Sequence, residues 1–338
     1  MSTLNTENLE PLPYADRRPS ATLRLEAQDY GPVLRHGDEV DRYGARDVFV
    51  FEQDGKYFMH YDAAGEAGWL CALATSFDGM NWTKHGAVLE LGKPSTPDSA
   101  SASFGTVFFD SRTHPSWHMF YLGTPNVDEP GKVPAFPYQT LKARAENPQG
   151  PWTKQPGVLS VAAVPGTFYA DTASPGQVLE QGGEYLMFFS AAMRRTDGIK
   201  RTLGMARTTD LNRAWTVDTE PLFPVDEQVE NSTLYFEPSS SLWYLFTNHI
   251  GIHPDTLEEY TDAVWVYWSS DLTRWNPEHK AVVLDHQNCT WSPNIVGLPS
   301  VVKIGSRLAL YYDGYTGEDL WHMERDIGLA WLDLPIGV

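Results

Sequence analysis

The chain has 338 residues, a net charge of −19 and 13% aromatic residues. That acidity argues against a nucleic-acid partner, because a phosphate backbone is bound by clustered Lys and Arg. Cys71 and Cys289 are too few for a disulfide framework, and no run of about 18 apolar residues offers a helical membrane span.

Residues 1–20 read as a polar, Pro-containing lead-in. The start, Met1-Ser-Thr-Leu, has neither a basic end nor an apolar run, so a cytoplasmic, non-membrane protein is expected. The two cysteines are expected as free buried thiols, with one bridge open if the fold brings them together. Residues 21–27, Ala-Thr-Leu-Arg-Leu-Glu-Ala, alternate as a strand does. From about Arg46 to Leu91 the pattern predicts four strands: Asp47–Phe51, Tyr57–Tyr61, Trp69–Thr75 and Asn81–His85. A tight hairpin falls at Gln53-Asp-Gly55.

This unit then recurs about every sixty residues. Aromatic strands return at Trp117–Tyr121, Tyr185–Phe189, Trp243–Thr247 and Leu308–Tyr312. Closing turns ending in Trp stand at Ser76–Trp82, Asn147–Trp152, Thr208–Trp215 and Ser269–Trp275. Asp78, Asp210 and Asp271 in three of these turns are expected to accept backbone N–H bonds, a structural role. The second unit spans roughly 100–160, the third 168–223 and the fourth 230–285. A fifth begins near Trp291, with strands at Pro299–Lys303, Leu308–Tyr312 and Ile327–Leu332, and lacks its own closing turn. The missing outer strand is expected from residues 21–27, which would close the ring and remove free edges. The expectation is therefore an all-β fold: a five-bladed β-propeller closed by an N-terminal strand, one domain over residues 21–338.

Ala45-Arg-Asp-Val-Phe-Val-Phe-Glu-Gln-Asp-Gly-Lys-Tyr-Phe58 and Ala143-Arg-Ala-Glu-Asn-Pro-Gln-Gly-Pro-Trp152 carry a resemblance. With the repeat, they resemble the five-bladed propeller glycosidases, family 43 most of all, with families 32, 68 and 117 as relatives. The likeness runs from about residue 40 to 333, and it departs at Val48, where the family pattern has Pro. It implies a glycoside hydrolase acting through carboxylate acid–base chemistry. On its terms Asp47 is the general base and Glu230 the general acid, raised by burial and neighbouring carboxylates. Asp171 orients Glu230 or binds a ring hydroxyl. Each has a structural alternative: Asp47 pairs with Arg46, Asp171 caps the turn into Ser174-Pro175, or Glu230 is solvated beside Asp226 and Glu227.

Sugar C–H faces stack on aromatic rings, which makes Trp291, Tyr169, Phe104 and Trp69 substrate-binding candidates. His60, His249 and Asp313 end second strands and are candidates to hydrogen-bond substrate. Arg194-Arg195 and Lys200-Arg201 are the clustered basic residues, and Arg194 is the candidate contact for an anionic group. The expected reaction is exo-acting, inverting hydrolysis of a small oligosaccharide or glycoside, arabinofuranosidase- or xylosidase-like. A phosphorylase or transglycosylase, and a non-catalytic carbohydrate-binding propeller, are the other readings. No compact ligand motif calls for a metal, and no cofactor is expected.

Overall fold

The computed structural model describes residues 1–5, 20–112, 115–129, 132–253, 255–256 and 258–338. Most of the lead-in expected over residues 1–20 lies outside these. The first strands are β1 (Ser2–Thr3) and β2 (Gln28–Leu34). An antiparallel unit follows: β3 (Gly44–Gln53), β4 (Lys56–Gly65), β5 (Gly68–Ser76) and β6 (Thr83–Ala87). Its first hairpin turns on Asp54 (φ 53) and Gly55 (φ 76), the two positive φ angles that a two-residue turn requires.

The second unit is β7 (Ser101–Asp110), β8 (Ser116–Thr124), β11 (Gln139–Ala145) and β12 (Thr153–Val161). The short ribbon β9 (Asn126–Asp128) and β10 (Val133–Ala135) projects from it. A brief parallel pairing of β5 with β7 joins the first two units into one sheet. The third unit is β13 (Thr172–Ser174), β14 (Val178–Gln181), β15 (Glu184–Arg195), β16 (Gly198–Thr208) and β17 (Thr216–Val217). After one 3-10 turn at Val225–Glu227 come β18 (Val229–Glu237), β19 (Leu242–Ile252), β20 (Glu259–Ser269) and β21 (Lys280–Asp285). The last unit is β22 (Val296–Ile304), β23 (Arg307–Gly314) and β24 (Asp326–Asp333), and β25 (Ile336–Gly337) then pairs with β1.

The fourth strand of the last unit is β2, antiparallel to β24 from Gln28↔Trp331 to Leu34↔Ile327. The segment 21–27, expected in that role, lies one step earlier. Leu25 and Ala27 donate to Val282 and Val283 on β21, and buried Arg24 pairs with Asp285 at 2.7 Å. That ion pair fixes the segment to the fourth unit and leaves residues 28–34 to complete the fifth.

The middle strands have both faces covered. All nine residues of β5 and all nine of β8 are buried. Their side chains fill the spaces between units. Phe49 and Cys71 meet Trp117 and Met119, Phe120 meets Met187, and Phe188 meets Trp265. Tyr244 then meets Leu310, and Tyr311 packs back on Met59 of the first unit. Cys71 and Cys289 are both free and buried. The repeated turns behave as the sequence suggests: Asp78 accepts Met80 and Asn81 N–H, Asp210 accepts Asn212 N–H, and Asp271 accepts Thr273 N–H. Their donors hold these carboxyls below the usual range.

Three units share a buried carboxylate clamp. Asp41, before β3, takes Tyr61 and Lys84; Asp98, before β7, takes Tyr121 and Lys154; Glu227, before β18, takes Tyr267 and Lys280. Each clamp ties the lead-in of a first strand to the outer strand of its own unit.

The first strands are stapled side by side by Val50 N–H to Ser300, Val301 N–H to Thr233, Leu234 N–H to Gln177 and Thr106 to the Gly176 carbonyl. Four of them carry a register shift near one end, with a positive φ at Asp47 (48), Phe104 (23), Asn231 (56) and Leu298 (31). In the third unit the chain breaks instead into β13 and β14. A bulge turns the next side chain out of the pleat, so these shifts aim side chains at the region the first strands surround.

Candidate active site

Asp47 sits on its bulge with a side chain 15% exposed, 2.9 Å from Arg46 Nε. Its own N–H points at Asp313 Oδ1, 3.5 Å away. Arg46 lies over the Trp69 ring at 5.2 Å, so the buried indole supports the guanidinium that grips Asp47. Asp313 is fully buried and held by fully buried Arg325 at 2.6 Å.

Asp62, on β4 across from Arg46, is 2% exposed and accepts the Phe104 N–H. Burial pushes its carboxyl well above the usual range and the Asp47 charge adds to that, so Asp62 keeps its proton and donates to Asp47. Asp47 is itself raised, first by burial; Arg46 opposes this while Asp313 and Glu230 reinforce it.

Glu230, on the β18 bulge, has a side chain 17% exposed. Arg201 Nη1 lies 2.5 Å from its carboxylate, and Asn248 Nδ2 is 3.5 Å away. Glu259 takes the same guanidinium at 2.8 Å, so one positive charge is divided between two carboxylates. Glu259 is thus the carboxylate neighbour of Glu230, while Asp62 and Asp313 stand around Asp47. Tyr138, whose hydroxyl donates to the Pro134 carbonyl, is raised by burial and feels Arg201, Glu230, Arg46 and Asp47. His322, in the loop between β23 and β24, is 3.3 Å from Arg46 through Nδ1. Desolvation and then Arg46, Arg325 and Arg201 lower this imidazole, although the residue as a whole is exposed. It is neutral at pH 7, and with Nδ1 accepting from Arg46 its proton is on Nε2.

The structure thus brings Asp47, Asp313 and Glu230 to one place, with Trp69 beneath Arg46 and the Phe104 N–H on Asp62, and puts Asp171, Arg194, His60, His249, Trp291 and Tyr169 elsewhere. Asp171, just before β13, accepts the Arg194 N–H at 2.7 Å and stands 3.8 Å from the Arg194 guanidinium. It fixes the β15–β16 hairpin that carries Arg201. Arg194 is largely exposed and stacks 5.1 Å over Phe136. His60 is buried between Phe51 and Trp152. His249 is buried, stacked 3.9 Å from Trp265 and bonded to Asp262 at 2.7 Å. Trp291 donates to Tyr312 at 2.7 Å and packs on the last core cluster. Tyr169 packs edge-on against Phe189, and Phe104 is 6% exposed.

Asp62, Glu259, Tyr138 and His322 were not legible as site residues; the Arg46–Asp47 pair was the expected alternative for Asp47 and is present at 2.9 Å, and Arg201 was named only among the clustered basic residues. One signal existed for Asp62: His60-Tyr-Asp62 and Tyr311-Tyr-Asp313 end equivalent second strands, pairing with Arg46 and Gly297 next to their bulges.

No family model matches the chain, and no curated protein matches it. Solved structures do. A glycoside hydrolase superposes with a TM-score of 0.68 at 17% identity, covering 92% of both chains. The catalytic domain of a family 62 α-L-arabinofuranosidase from Coprinopsis cinerea gives 0.60 at 12% identity, covering 90% of this chain and 96% of that one. A thermostable family 43 glycoside hydrolase gives 0.61 at 13% identity, covering 85% and 89%. The protein therefore has the all-β propeller fold of the glycoside hydrolases. Within that class its neighbours include the family 43 type that its sequence resembles.

Proposed function

We propose that the chain is a glycoside hydrolase: one catalytic domain over residues 21–338, its five units the blades of a propeller closed by β2. The observation that carries this is the facing pair Asp47 and Glu230. Both are partly open to solvent, both stand on bulged first strands, and each is gripped by its own arginine. A glycosidic bond breaks when one carboxyl protonates the leaving oxygen while the other acts on the opposite face of the sugar.

Asp47 is the base. Paired with Arg46 and with the Asp62 proton, it takes a proton from water as that water attacks the anomeric carbon. Glu230 is the acid and gives its proton to the leaving oxygen as the C–O bond breaks. Glu259 shares the Arg201 guanidinium with it. The attack inverts the anomeric centre. The sugar is a terminal arabinofuranosyl- or xylosyl-type residue removed in exo fashion. Phosphorolysis is disfavoured because Arg201 already serves two carboxylates and Lys200 faces Asp197 and Asp226.

The test is turnover of chromogenic α-L-arabinofuranoside, β-D-xyloside, β-D-galactofuranoside and α-L-fucoside by wild type, Asp47→Asn and Glu230→Gln. Each variant is expected to lose on the order of 10²–10⁴-fold in rate. NMR of the fresh product should show the opposite anomer. Turnover that survives both substitutions would discard this site.

A further inference from the structure

Asp47 and Glu230 are each held by an arginine, and each arginine lies against an aromatic ring. For Asp47 the ring is Trp69, from the same unit. For Glu230 it is Phe136, whose centroid is 5.8 Å from the Arg201 guanidinium. We propose that Phe136 is a positioning residue: its ring fixes the Arg201 guanidinium, and through it the Glu230 carboxylate. The inference rests on the hydrolase reading above.

Three units meet in this contact. Phe136 follows the β9–β10 ribbon of the second unit, Arg201 stands on β16 of the third and Glu230 on β18 of the fourth. Arg201 lies opposite Ala192 across the β15–β16 hairpin, so it shares a face with Arg194, two residues further along β15. Both guanidiniums reach the one ring, Arg194 at 5.1 Å. A guanidinium is drawn to the negative face of an aromatic ring, most strongly where water is kept out. The Arg201 side chain is only 15% exposed. Glu259 draws on the same guanidinium at 2.8 Å, so a third contact is needed to decide where between the two carboxylates it rests.

Apolar packing does not account for the ring. Phe136 is half-buried, and among the described residues it takes part in none of the apolar clusters that fill the spaces between units. Its ring contacts are the two guanidiniums and Tyr138, met edge-on at 4.8 Å. Its backbone is nevertheless fastened on both sides. Within the second unit, Asn126 Nδ2 donates to the Phe136 carbonyl at 2.9 Å and Thr124 Oγ1 to the Ala135 carbonyl at 2.7 Å. Towards the third, Tyr138 N–H donates to the Asp171 carbonyl and Ala173 N–H to the Tyr138 carbonyl, both at 3.0 Å. The ring is therefore held against the hairpin that carries Arg201.

The test is steady-state kinetics of Phe136→Leu, Phe136→Met, Phe136→Tyr and Arg194→Ala beside wild type, on the chromogenic glycosides named above. Phe136→Leu and Phe136→Met fill the space without a ring. Each is expected to lower kcat about tenfold or more and to leave KM within about threefold. Phe136→Tyr keeps the ring and should hold kcat within about threefold of wild type. Arg194→Ala strips the other guanidinium from the ring and should do the same. Unchanged kcat in the ringless variants overturns the proposal. So does a loss confined to KM, which would make the ring a substrate contact. A loss that Phe136→Tyr shares, or that Arg194→Ala reproduces, overturns it as well. The two readings fail separately. Turnover abolished by Asp47→Asn and Glu230→Gln but untouched in Phe136→Leu leaves the hydrolase and sinks the positioning role. A wild type that turns over none of the glycosides sinks the hydrolase reading, and the positioning role falls with it.

Discussion

Asp47 holds a left-handed backbone angle that most side chains resist, and Asn is among the few that visit it readily. Asp47→Asn is therefore the clean substitution at this position, and Ala there would add backbone strain to the loss of charge. Asp62 offers a sharper test. As a proton-bearing acid it donates to Asp47 and accepts from Phe104, and a carboxamide can do both. Asp62→Asn should keep kcat/KM within about tenfold of wild type. Asp62→Ala should lose far more and destabilise the fold by about 1–3 kcal/mol, the cost of an unpaired buried N–H. If Asp62→Asn is as dead as Asp47→Asn, Asp62 works as a carboxylate and the shared proton is wrong. Asp47 and Glu230, like Asp171, came from the resemblance, and the fold brings the first two together without the third. The parts of Arg201 and His322 were not legible. Their roles come from long side chains crossing between units, and no local pattern marks such a reach.

At the scale of the strand, the bulge decides which side chains enter the site, and the third unit shows what replaces it. Between β13 and β14 the chain passes so close to β15 that a Cβ on Gly176 would sit 1.5 Å from the Phe188 carbonyl oxygen. Gly176→Ala should therefore cost on the order of 3 kcal/mol or prevent folding. Gly157→Ala, with open space around its site, is the near-neutral control. Denaturant melts of the two compare them, and similar midpoints would refute the close approach. The strands and closing turns were readable in advance, because alternation and the Asp…Trp turn are local. The donor of the last outer strand was misplaced by one segment. That choice depends on the Arg24–Asp285 pair, 261 residues apart in sequence.

Across the whole molecule, burial of histidines sets the response to acid. The cores hold His60 down to about 3 and His118 to about 4, burial being the main cause in both. The unfolded chain takes these protons near pH 6.5, so the folded state loses stability as pH falls from there towards about 4. For His60 the loss by pH 4.5 is about 2–3 kcal/mol. His60→Phe, placed between Phe51 and Trp152, should flatten this slope in urea melts at pH 7 and 4.5. Parallel slopes for wild type and variant would show that another group governs acid lability. The exposed turn aspartates act only at lower pH, since their hydrogen-bond donors hold them below the usual carboxylate range.

The carboxylate clamps have a consequence for how such a chain can change over generations. Asp41, Tyr61 and Lys84 belong to one unit, as do Asp98, Tyr121 and Lys154, and Glu227, Tyr267 and Lys280. Every partner travels with its own stretch of gene. A unit copied or exchanged as a cassette carries its internal fastening with it, and only the apolar joints to its neighbours must be refitted.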